Sequence, residues 1–150
     1  MSRTWILIAD RSGARLFEQT REHMPISLHT TFEHPAGRLR EGEIYADRPG
    51  RVHDRMGDQR HGVGREESGV AHVTAGFIRE MADFLRTSRL NHHYDQLVLV
   101  AGPKLLGGLR QALDRDTAAL VSASLPKDLQ EVSEHDLPEH LKEVLELPQA

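Results

Sequence analysis

The spacing of apolar residues along the chain predicts five β-strands. A compact apolar run opens the sequence, and Asp10, Arg11, Ser12 and Gly13 then supply the residues of a turn, in which Gly13 is expected to provide a positive φ. The chain returns as a second strand and so completes a hairpin. A later strand is almost continuously apolar, a pattern typical of burial on both faces of a sheet. The predicted strands are Thr4–Ala9, Ala14–Glu18, Ser27–Glu33, Gln96–Ala101 and Ala118–Leu125.

Three helices are predicted where apolar residues recur every three or four positions. The longest begins with Val70 and ends near Leu90, the second opens at Pro103 and ends near Asp114, and a short acidic helix covers 137–147. The opening hairpin implies antiparallel strands, whereas the later alternation of strand and helix implies parallel strands. We therefore predict an α/β fold in which helices flank a mixed β-sheet.

A long polar loop, 34–69, separates the third predicted strand from the longest helix. It holds seven Gly, two Pro and seven Arg, and it shows neither a helical nor a strand period. A loop of this length without secondary structure of its own is usually functional or disordered. No internal repeat or linker divides the sequence, so we predict a single domain over residues 1–150 with this loop as its functional part.

The charge distribution separates an acidic C-terminal segment, 126–150, from the rest of the chain. That segment holds seven acids against two lysines, a net charge of −5, which leaves +1 for the other residues because the whole chain carries −4. The sequence contains no cysteine, which excludes thiol catalysis and disulfides and suits a cytoplasmic protein. No apolar run approaches the roughly 18 residues of a membrane span. We therefore expect a cytoplasmic protein without a membrane partner.

The densest cluster of candidate binding residues lies between positions 47 and 65. Glycines let backbone amides approach a ligand closely, and arginine forks grip phosphates, so this stretch suits the grooves of structured RNA. The alternatives are a solvated or subunit-bridging loop, in which Asp47, Asp54 and Asp58 neutralise the arginines, and a site for a small anion. The candidate RNA- or anion-binding residues are Arg48, Arg51, Arg55, Arg60, His61 and Arg65.

The histidines and the first aspartate favour structural interpretations over chemical ones. His53, His61 and His72 match no established spacing of metal ligands, so we predict no metal site. Asp10 stands at the end of a predicted strand and could act as the carboxylate of a nuclease-like fold. Its Asp-Arg-Ser-Gly context favours a role in the turn instead.

A strand-to-helix connection at Gly102–Lys104 is the last position where the sequence offers a ligand site. Such connections bind anions in open α/β sheets because helix N-termini attract negative charge. The sequence has neither GxGxxG nor a Walker pattern there, which favours a plain connection. Ser12, Ser68 and Ser88 lie in no nucleophile-elbow motif. We therefore predict no cofactor and find no convincing enzyme.

Short segments in a fixed order carry a resemblance that extends over nearly the whole chain. They are Trp5–Asp10, Gly13–Phe17, Phe32–Arg38, Asp47–Arg51, Arg60–Gly62, Leu97–Pro103, Leu105–Gly107 and Lys127–Leu129. Together they resemble the bacterial host attachment proteins, the family named "protein required for attachment to host cells". Each segment is weakly diagnostic by itself, and the specificity of the resemblance comes from their common order.

This family is distantly similar to the central domain of archaeal and eukaryotic class 1 peptide-chain release factors and to Pelota. The resemblance implies an RNase H-like core of that type, with a long loop inserted before the longest helix. Release factors carry a Gly-Gly-Gln motif on that loop, which helps water attack the peptidyl-tRNA ester. Gln59 and Gly57 match the motif and Asp58 departs from it, and a carboxylate there is costly against ribosomal RNA. Gln59, with Gly57, is the candidate catalytic residue.

The leading hypothesis is a release-factor-like protein that binds the ribosome or a tRNA through its Arg-rich loop. It would not recognise stop codons, because 150 residues leave no room for codon-reading domains. One alternative is a protein-interaction factor that affects attachment to host cells. A further alternative is a hydrolase that acts on peptidyl-tRNA or RNA through Gln59 or Asp10. The sequence leaves the oligomeric state open, and an exposed sheet edge or the acidic tail could each support a homodimer.

Overall fold

One mixed β-sheet organises the chain. The computed structural model describes residues 3–20, 26–34 and 62–144, and the side chains of its first helix from Thr74 onward. Within these ranges the strands lie in the order β3-β2-β1-β4-β5. β2 runs antiparallel to both β1 and β3, whereas β1, β4 and β5 are parallel, as predicted. The strands are β1 (Thr4–Asp10), β2 (Gly13–Gln19), β3 (Ser27–Glu33), β4 (Gln96–Val100) and β5 (Val121–Leu125).

The two central strands are buried on both faces, which confirms the prediction made for β4. Alternate residues of a strand point to opposite faces. Trp5 and Leu7 of β1 contribute to one core cluster, and Ile6 and Ile8 contribute to the other. In β4 the residues from Leu97 onward divide between the two clusters in the same way. An apolar run without alternation is therefore what a strand between two covered faces requires.

The first face of the sheet is covered by the two longest described helices. These are α1 (Gly62–Leu90) and α2 (Pro103–Ala112). The apolar residues whose spacing predicted the two helices are the residues that face the sheet. Residues three or four positions apart lie on one side of a helix, and that side packs against the core. Fully or nearly buried side chains on this face are Phe77, Met81, Leu85, Leu106, Leu109 and Leu113.

The second face is covered by the acidic C-terminal segment. It contains a short helix, α4 (Leu137–Leu141), and three leucines that are almost completely buried against the sheet: Leu129, Leu137 and Leu141. Its charged residues between positions 126 and 144 remain exposed. The helix predicted in this segment is confirmed in part, and the four-residue spacing between Leu137 and Leu141 places both leucines on its buried side.

The longest helix begins earlier than its apolar pattern predicts. α1 starts at Gly62, eight residues before Val70, so the end of the predicted loop 34–69 is helical and residues 35–61 lie outside the described part. Residues 62–69 contain three glycines and Val63 as their one aliphatic residue, so no apolar face marks them as helix. Extending a formed helix adds one hydrogen bond per residue, whereas starting a new helix is costly, so the helix continues without such a face.

The boundaries in the second half also differ from the prediction. A four-residue helix, α3 (Arg115–Ala118), takes the place of the first residue of the predicted last strand, which begins only at Val121. Arg89 of α1 holds this helix by donating to Thr117 Oγ1 at 3.0 Å and to Asp114 Oδ2 at 3.3 Å. The fold therefore sets this boundary through a tertiary contact. α4 likewise ends at Leu141, well before the predicted end at 147.

Both edge strands of the described sheet carry an irregular residue. His29 of β3 is skipped between the pairs of Leu16 and Phe17, and Ser122 of β5 is skipped between the pairs of Leu97 and Val98. Such irregularities disturb the row of free backbone groups that another strand would need. Strand pairing at either edge is therefore an unfavourable route to a homodimer.

Tyr94 should make the free energy of unfolding depend on pH in the alkaline range. Its hydroxyl donates to Leu85 O at 2.7 Å, and burial raises the pKa of Tyr94 to about 12. The folded state therefore favours the neutral phenol, and this stabilisation is present below pH 10 and is lost as the pH rises from about 10 to 12. We expect the free energy of unfolding to fall by on the order of 2 kcal/mol across that window.

Ultraviolet titration at 295 nm should resolve the two tyrosines, with Tyr94 ionising last. Tyr94→Phe is the control: urea unfolding should show a loss of about 1 kcal/mol at pH 8, from the missing hydrogen bond, and a smaller further decline above pH 10. A folded protein in which both tyrosines ionise together near pH 10 would contradict the prediction.

His92 ends α1 in a conformation that favours glycine. Its φ is 58°, its N–H bonds to Arg89 O at 2.9 Å, and the N–H of His93 bonds to Ser88 O at 2.9 Å. These two bonds form a Schellman motif with His92 at the left-handed position. His92→Gly should therefore raise the free energy of unfolding by about 0.5–1 kcal/mol, because the steric strain of a side chain at this φ disappears.

Asn91→Gly is the matched control in chemical denaturation. Among the residues described, His92 alone of the non-glycine residues has positive φ, so a glycine at Asn91 only adds freedom to the unfolded chain. It should lower stability by about 0.5–1 kcal/mol. If both substitutions change the free energy of unfolding in the same direction, the conformation of His92 is not strained.

Candidate functional site

Most of the residues that the sequence nominated lie outside the part of the chain that the structure describes. Arg65 belongs to the first turn of α1 by its backbone, and its side chain is not described. All of the nominated side chains therefore lie outside the described part of the protein. The residues outside the described ranges are Arg48, Arg51, Arg55, Gly57, Gln59, Arg60 and His61.

The structure does show where this stretch joins the core. Residues 35–61, here named the arm, connect the end of β3 with the start of α1. β3 and β1 run in the same direction because both are antiparallel to β2. The arm therefore leaves the sheet at the edge where the parallel strands β1, β4 and β5 end. This carboxyl edge is where open α/β sheets usually bind their ligands.

His34, the last described residue before the arm, is held by three contacts. Its N–H donates to Ser12 O at 3.0 Å, and its Nδ1 lies 2.7 Å from Arg11 O. A carbonyl can only accept, so Nδ1 carries the proton. The imidazole also stacks on Phe77 of α1, with ring centroids 4.2 Å apart and planes inclined by 9°. One residue thus ties the end of β3 to the β1–β2 turn and to the long helix.

α1 continues far beyond this contact. Phe77 is the first buried side chain among those described in the helix, and residues 62–76 precede it. At 1.5 Å per residue this adds roughly 22 Å of helix beyond the level at which α1 meets His34. The far end of the arm is therefore attached to a helical extension, while its near end is attached to the sheet.

Asp10 has the structural role in the turn that its sequence context predicted. One carboxylate oxygen, Oδ1, accepts from Ser12 N at 2.8 Å, from Ser12 Oγ at 2.8 Å and from Gly13 N at 3.1 Å. These bonds close the two-residue connection between β1 and β2 and provide partners for its amides. They fix the part of the carboxyl edge against which His34 is anchored.

Gly13 is needed in this turn for a different reason from the one predicted. Its φ lies outside the left-handed range, so the expected positive φ is wrong. A Cβ at this position would lie 2.6 Å from the backbone oxygen of Phe32 in β3. Real atoms do not approach so closely, so glycine is required by the close approach of the neighbouring strand.

On the opposite face of the sheet, Arg15 connects the same edge to the C-terminal segment. Its Nη2 donates to Leu129 O at 2.9 Å and its Nε to Gln130 Oε1 at 3.2 Å. Burial lowers the pKa of Arg15, while the charges of Glu134 and Asp10 act in the opposite direction. These bonds hold the cover of the second face in place. Sequence reasoning missed Arg15 because a single arginine within a strand carries no spacing signal.

The connection at Gly102–Lys104 joins the end of β4 to the start of α2. Pro103 occupies the first turn of α2, and Leu106 N donates to Gly102 O at 2.9 Å. Across residues 3–20, 26–34 and 74–144, no three carboxylates or histidines lie close enough to hold a metal. No helix in the same part of the protein is long and apolar enough to cross a membrane.

The chain was compared with protein families and with curated proteins. No curated protein matches the chain. The model of the family described as "Protein required for attachment to host cells" matches residues 5–141. This stretch contains β2 to β5, all of β1 except Thr4, and the arm with both of its attachments to the core. The chain therefore belongs to the family of proteins required for attachment to host cells.

Proposed function

We propose that this protein is a cytoplasmic, release-factor-like RNA-binding protein that contacts the ribosome or a tRNA through the arm, without recognising stop codons. The observation that carries the proposal is where the chain on either side of the arm joins the core. An Arg-rich stretch is attached at one end to the carboxyl edge of the sheet through His34 and at the other to the extended start of α1. The residues proposed to contact phosphates are Arg48, Arg51, Arg55, Arg60, His61 and Arg65.

The order of the elements supports an RNase H-like core of the release-factor type. Such a core would carry its functional loop immediately before a long helix. Here three strands joined as an antiparallel meander come first, the arm follows, and α1 then has 29 residues. Two parallel strands with intervening helices complete the sheet. The arm thus occupies the position at which that type of protein presents its functional loop.

Binding without catalysis is the form of the proposal that the residues favour. Gln59 and Gly57 match the release-factor motif, but Asp58 replaces the central glycine. A charged carboxylate between them would repel the phosphates of ribosomal RNA. The other catalytic candidate, Asp10, holds the β1–β2 turn through three hydrogen bonds. Hydrolysis of the peptidyl-tRNA ester therefore remains the less favoured version.

Sedimentation with ribosomes at graded salt tests the proposal. Arginine contacts to phosphates release counterions, so binding should be strong at 50 mM salt and should weaken steeply towards 200 mM. The protein alone, centrifuged under the same conditions, controls for self-association. Absence of binding at low salt, to ribosomes and to bulk tRNA alike, would remove the proposal.

A second candidate function follows from the description of the family. It is a protein-interaction factor that affects attachment to host cells, in which the arm would contact a protein instead of RNA. Fractionation of cells that express the native protein distinguishes the two. Recovery with ribosomes in the cytoplasm supports RNA binding, whereas recovery at the cell surface supports a direct role in attachment.

A further inference from the structure

We infer that Asp10 is a positioning residue, which fixes the orientation and the tautomer of His34 and so the point at which the chain leaves the sheet for the arm. Its part in RNA binding rests on the proposed function. The contact between the two residues is indirect, because they hold the same two peptide groups of the β1–β2 turn from opposite sides.

The first shared peptide group joins Arg11 and Ser12. Its N–H donates to Asp10 Oδ1 at 2.8 Å, and its carbonyl, Arg11 O, accepts from His34 Nδ1 at 2.7 Å. A trans peptide is planar, and its N–H and C=O point in opposite directions. A carboxylate that holds the N–H therefore also directs the carbonyl towards the imidazole.

The second shared peptide group joins Ser12 and Gly13 and is held in the same way. Its N–H donates to Asp10 Oδ1 at 3.1 Å, and its carbonyl, Ser12 O, accepts from the backbone N–H of His34 at 3.0 Å. Both of these hydrogen bonds of His34 thus end on peptide groups that Asp10 holds. Hydrogen bonds in such a chain polarise and strengthen one another.

The turn needs the carboxylate because its backbone is not of the kind that usually closes a two-residue hairpin. The favoured types, I′ and II′, require a positive φ at the first central residue, which here is Arg11. Among the described residues other than glycine, His92 alone has a positive φ, so the turn is of neither type. Without the three bonds to Asp10 Oδ1, the central peptide of the turn is free to rotate and to turn its carbonyl away from His34.

The tautomer of His34 depends on this arrangement. Nδ1 carries the proton because it faces a carbonyl, and the tautomer of an imidazole is set by the hydrogen bonds that it makes. The same bond keeps the ring in the plane in which it stacks on Phe77, with ring centroids 4.2 Å apart. Asp10 therefore acts, through His34, on the contact that joins the end of β3 to α1.

Comparison of Asp10→Ala with Asp114→Ala tests this role. Asp114 is the matched control because it is also half-buried and also accepts hydrogen bonds, from Thr117 and Arg89, but lies before β5 at the opposite edge of the sheet. Nitrogen NMR of the imidazoles in alkaline buffer, with the His34 signals assigned from a His34→Gln variant, should show the Nδ1–H tautomer in wild type and in Asp114→Ala. Asp10→Ala should show a mixture of the two tautomers.

Asp10→Asn is the conservative variant. Its amide oxygen can accept the same hydrogen bonds without the negative charge, so it should restore the wild-type tautomer of His34. Asp10→Glu keeps the charge but displaces the acceptor by one methylene, and it replaces Asp10→Ala in the comparison if circular dichroism shows that the alanine variant does not fold.

Ribosome binding should follow the same order as the tautomer. Asp10→Ala should weaken binding by roughly 5- to 10-fold, because a less firmly held attachment must be ordered when RNA binds. Asp10→Asn and Asp114→Ala should stay within about 2-fold of wild type, since both leave His34 in place.

The outcomes separate the role of Asp10 from the proposed function. If Asp10→Ala keeps the wild-type tautomer of His34, or weakens ribosome binding no more than Asp114→Ala does, the positioning role is overturned while the proposed function stands. If wild type binds neither ribosomes nor tRNA, the proposed function fails, and the tautomer measurement still decides whether Asp10 positions His34.

Discussion

Gly13→Ala is expected to destabilise the protein by about 2 kcal/mol and to lower its Tm by roughly 4–8 °C. The new Cβ would lie 2.6 Å from Phe32 O, a backbone atom that cannot turn away. β3 must therefore move away from the start of β2, or the turn must open. Either movement also disturbs His34, which follows β3 and bonds to Ser12 O in that turn.

Gly107→Ala is the matched control for this stability measurement. Gly107 is an exposed residue of α2, and a Cβ there would have no atom within 4 Å. Alanine in a helix interior is favoured over glycine by about 0.5–1 kcal/mol, so this variant should be more stable than wild type. If alanine lowers the stability at position 13 and raises it at position 107, the close approach at Gly13 is established. If Gly13→Ala is as stable as wild type, the strands are not in the contact described.

Replacing Arg51, Arg55 and Arg60 together with alanine is expected to weaken ribosome binding by roughly 50- to 150-fold at 0.15 M salt. Each phosphate contact contributes about 0.7 to 0.9 to the salt slope, so three lost contacts should reduce that slope by about 2 to 2.7. The stability of the fold should not change, because the described core contains none of these side chains. Sedimentation and urea unfolding measure the two effects separately.

Two controls determine whether ribosome binding depends on the shape of the arginine side chains or on their charge alone. The corresponding lysine variant keeps the charge and loses the two-pronged hydrogen bonding, so its affinity should lie between those of wild type and the alanine variant. Alanine at Arg79, Arg86 and Arg115 removes equal charge from exposed positions on α1 and α3. Equal losses from the arm and from these surface positions would mean that net charge, and not the arm, controls binding.

The sheet could be predicted from the sequence because its central strands have no polar side. Burial on both faces leaves an uninterrupted apolar run, and β1 and β4 show one. The start of α1 could not be predicted, since residues 62–69 hold three glycines and a single aliphatic residue and so show no apolar period. The short helix α3 was missed because Arg89, distant in sequence, holds Asp114 and Thr117 in place.

The candidate site was predictable in composition but not in geometry. Seven arginines between 34 and 69 identify the region, whereas its anchoring depends on one histidine. His34 carries no motif, and its stacking partner Phe77 is more than 40 residues away in sequence. The positive φ expected at Gly13 was wrong, and the need for glycine there comes from the neighbouring strand. Tertiary contacts of single residues leave no pattern in the residues around them.

Site-specific photocrosslinking tests the central claim most directly, which is that the arm contacts RNA. A photoreactive benzoylphenylalanine at Met56, within the arm, is compared with one at Glu139, exposed on α4 at the second face of the sheet. Irradiation of the protein bound to ribosomes or tRNA should give RNA crosslinks from position 56 and few from position 139. Crosslinks from position 56 to protein alone, or equal RNA yields from both positions, would contradict the account.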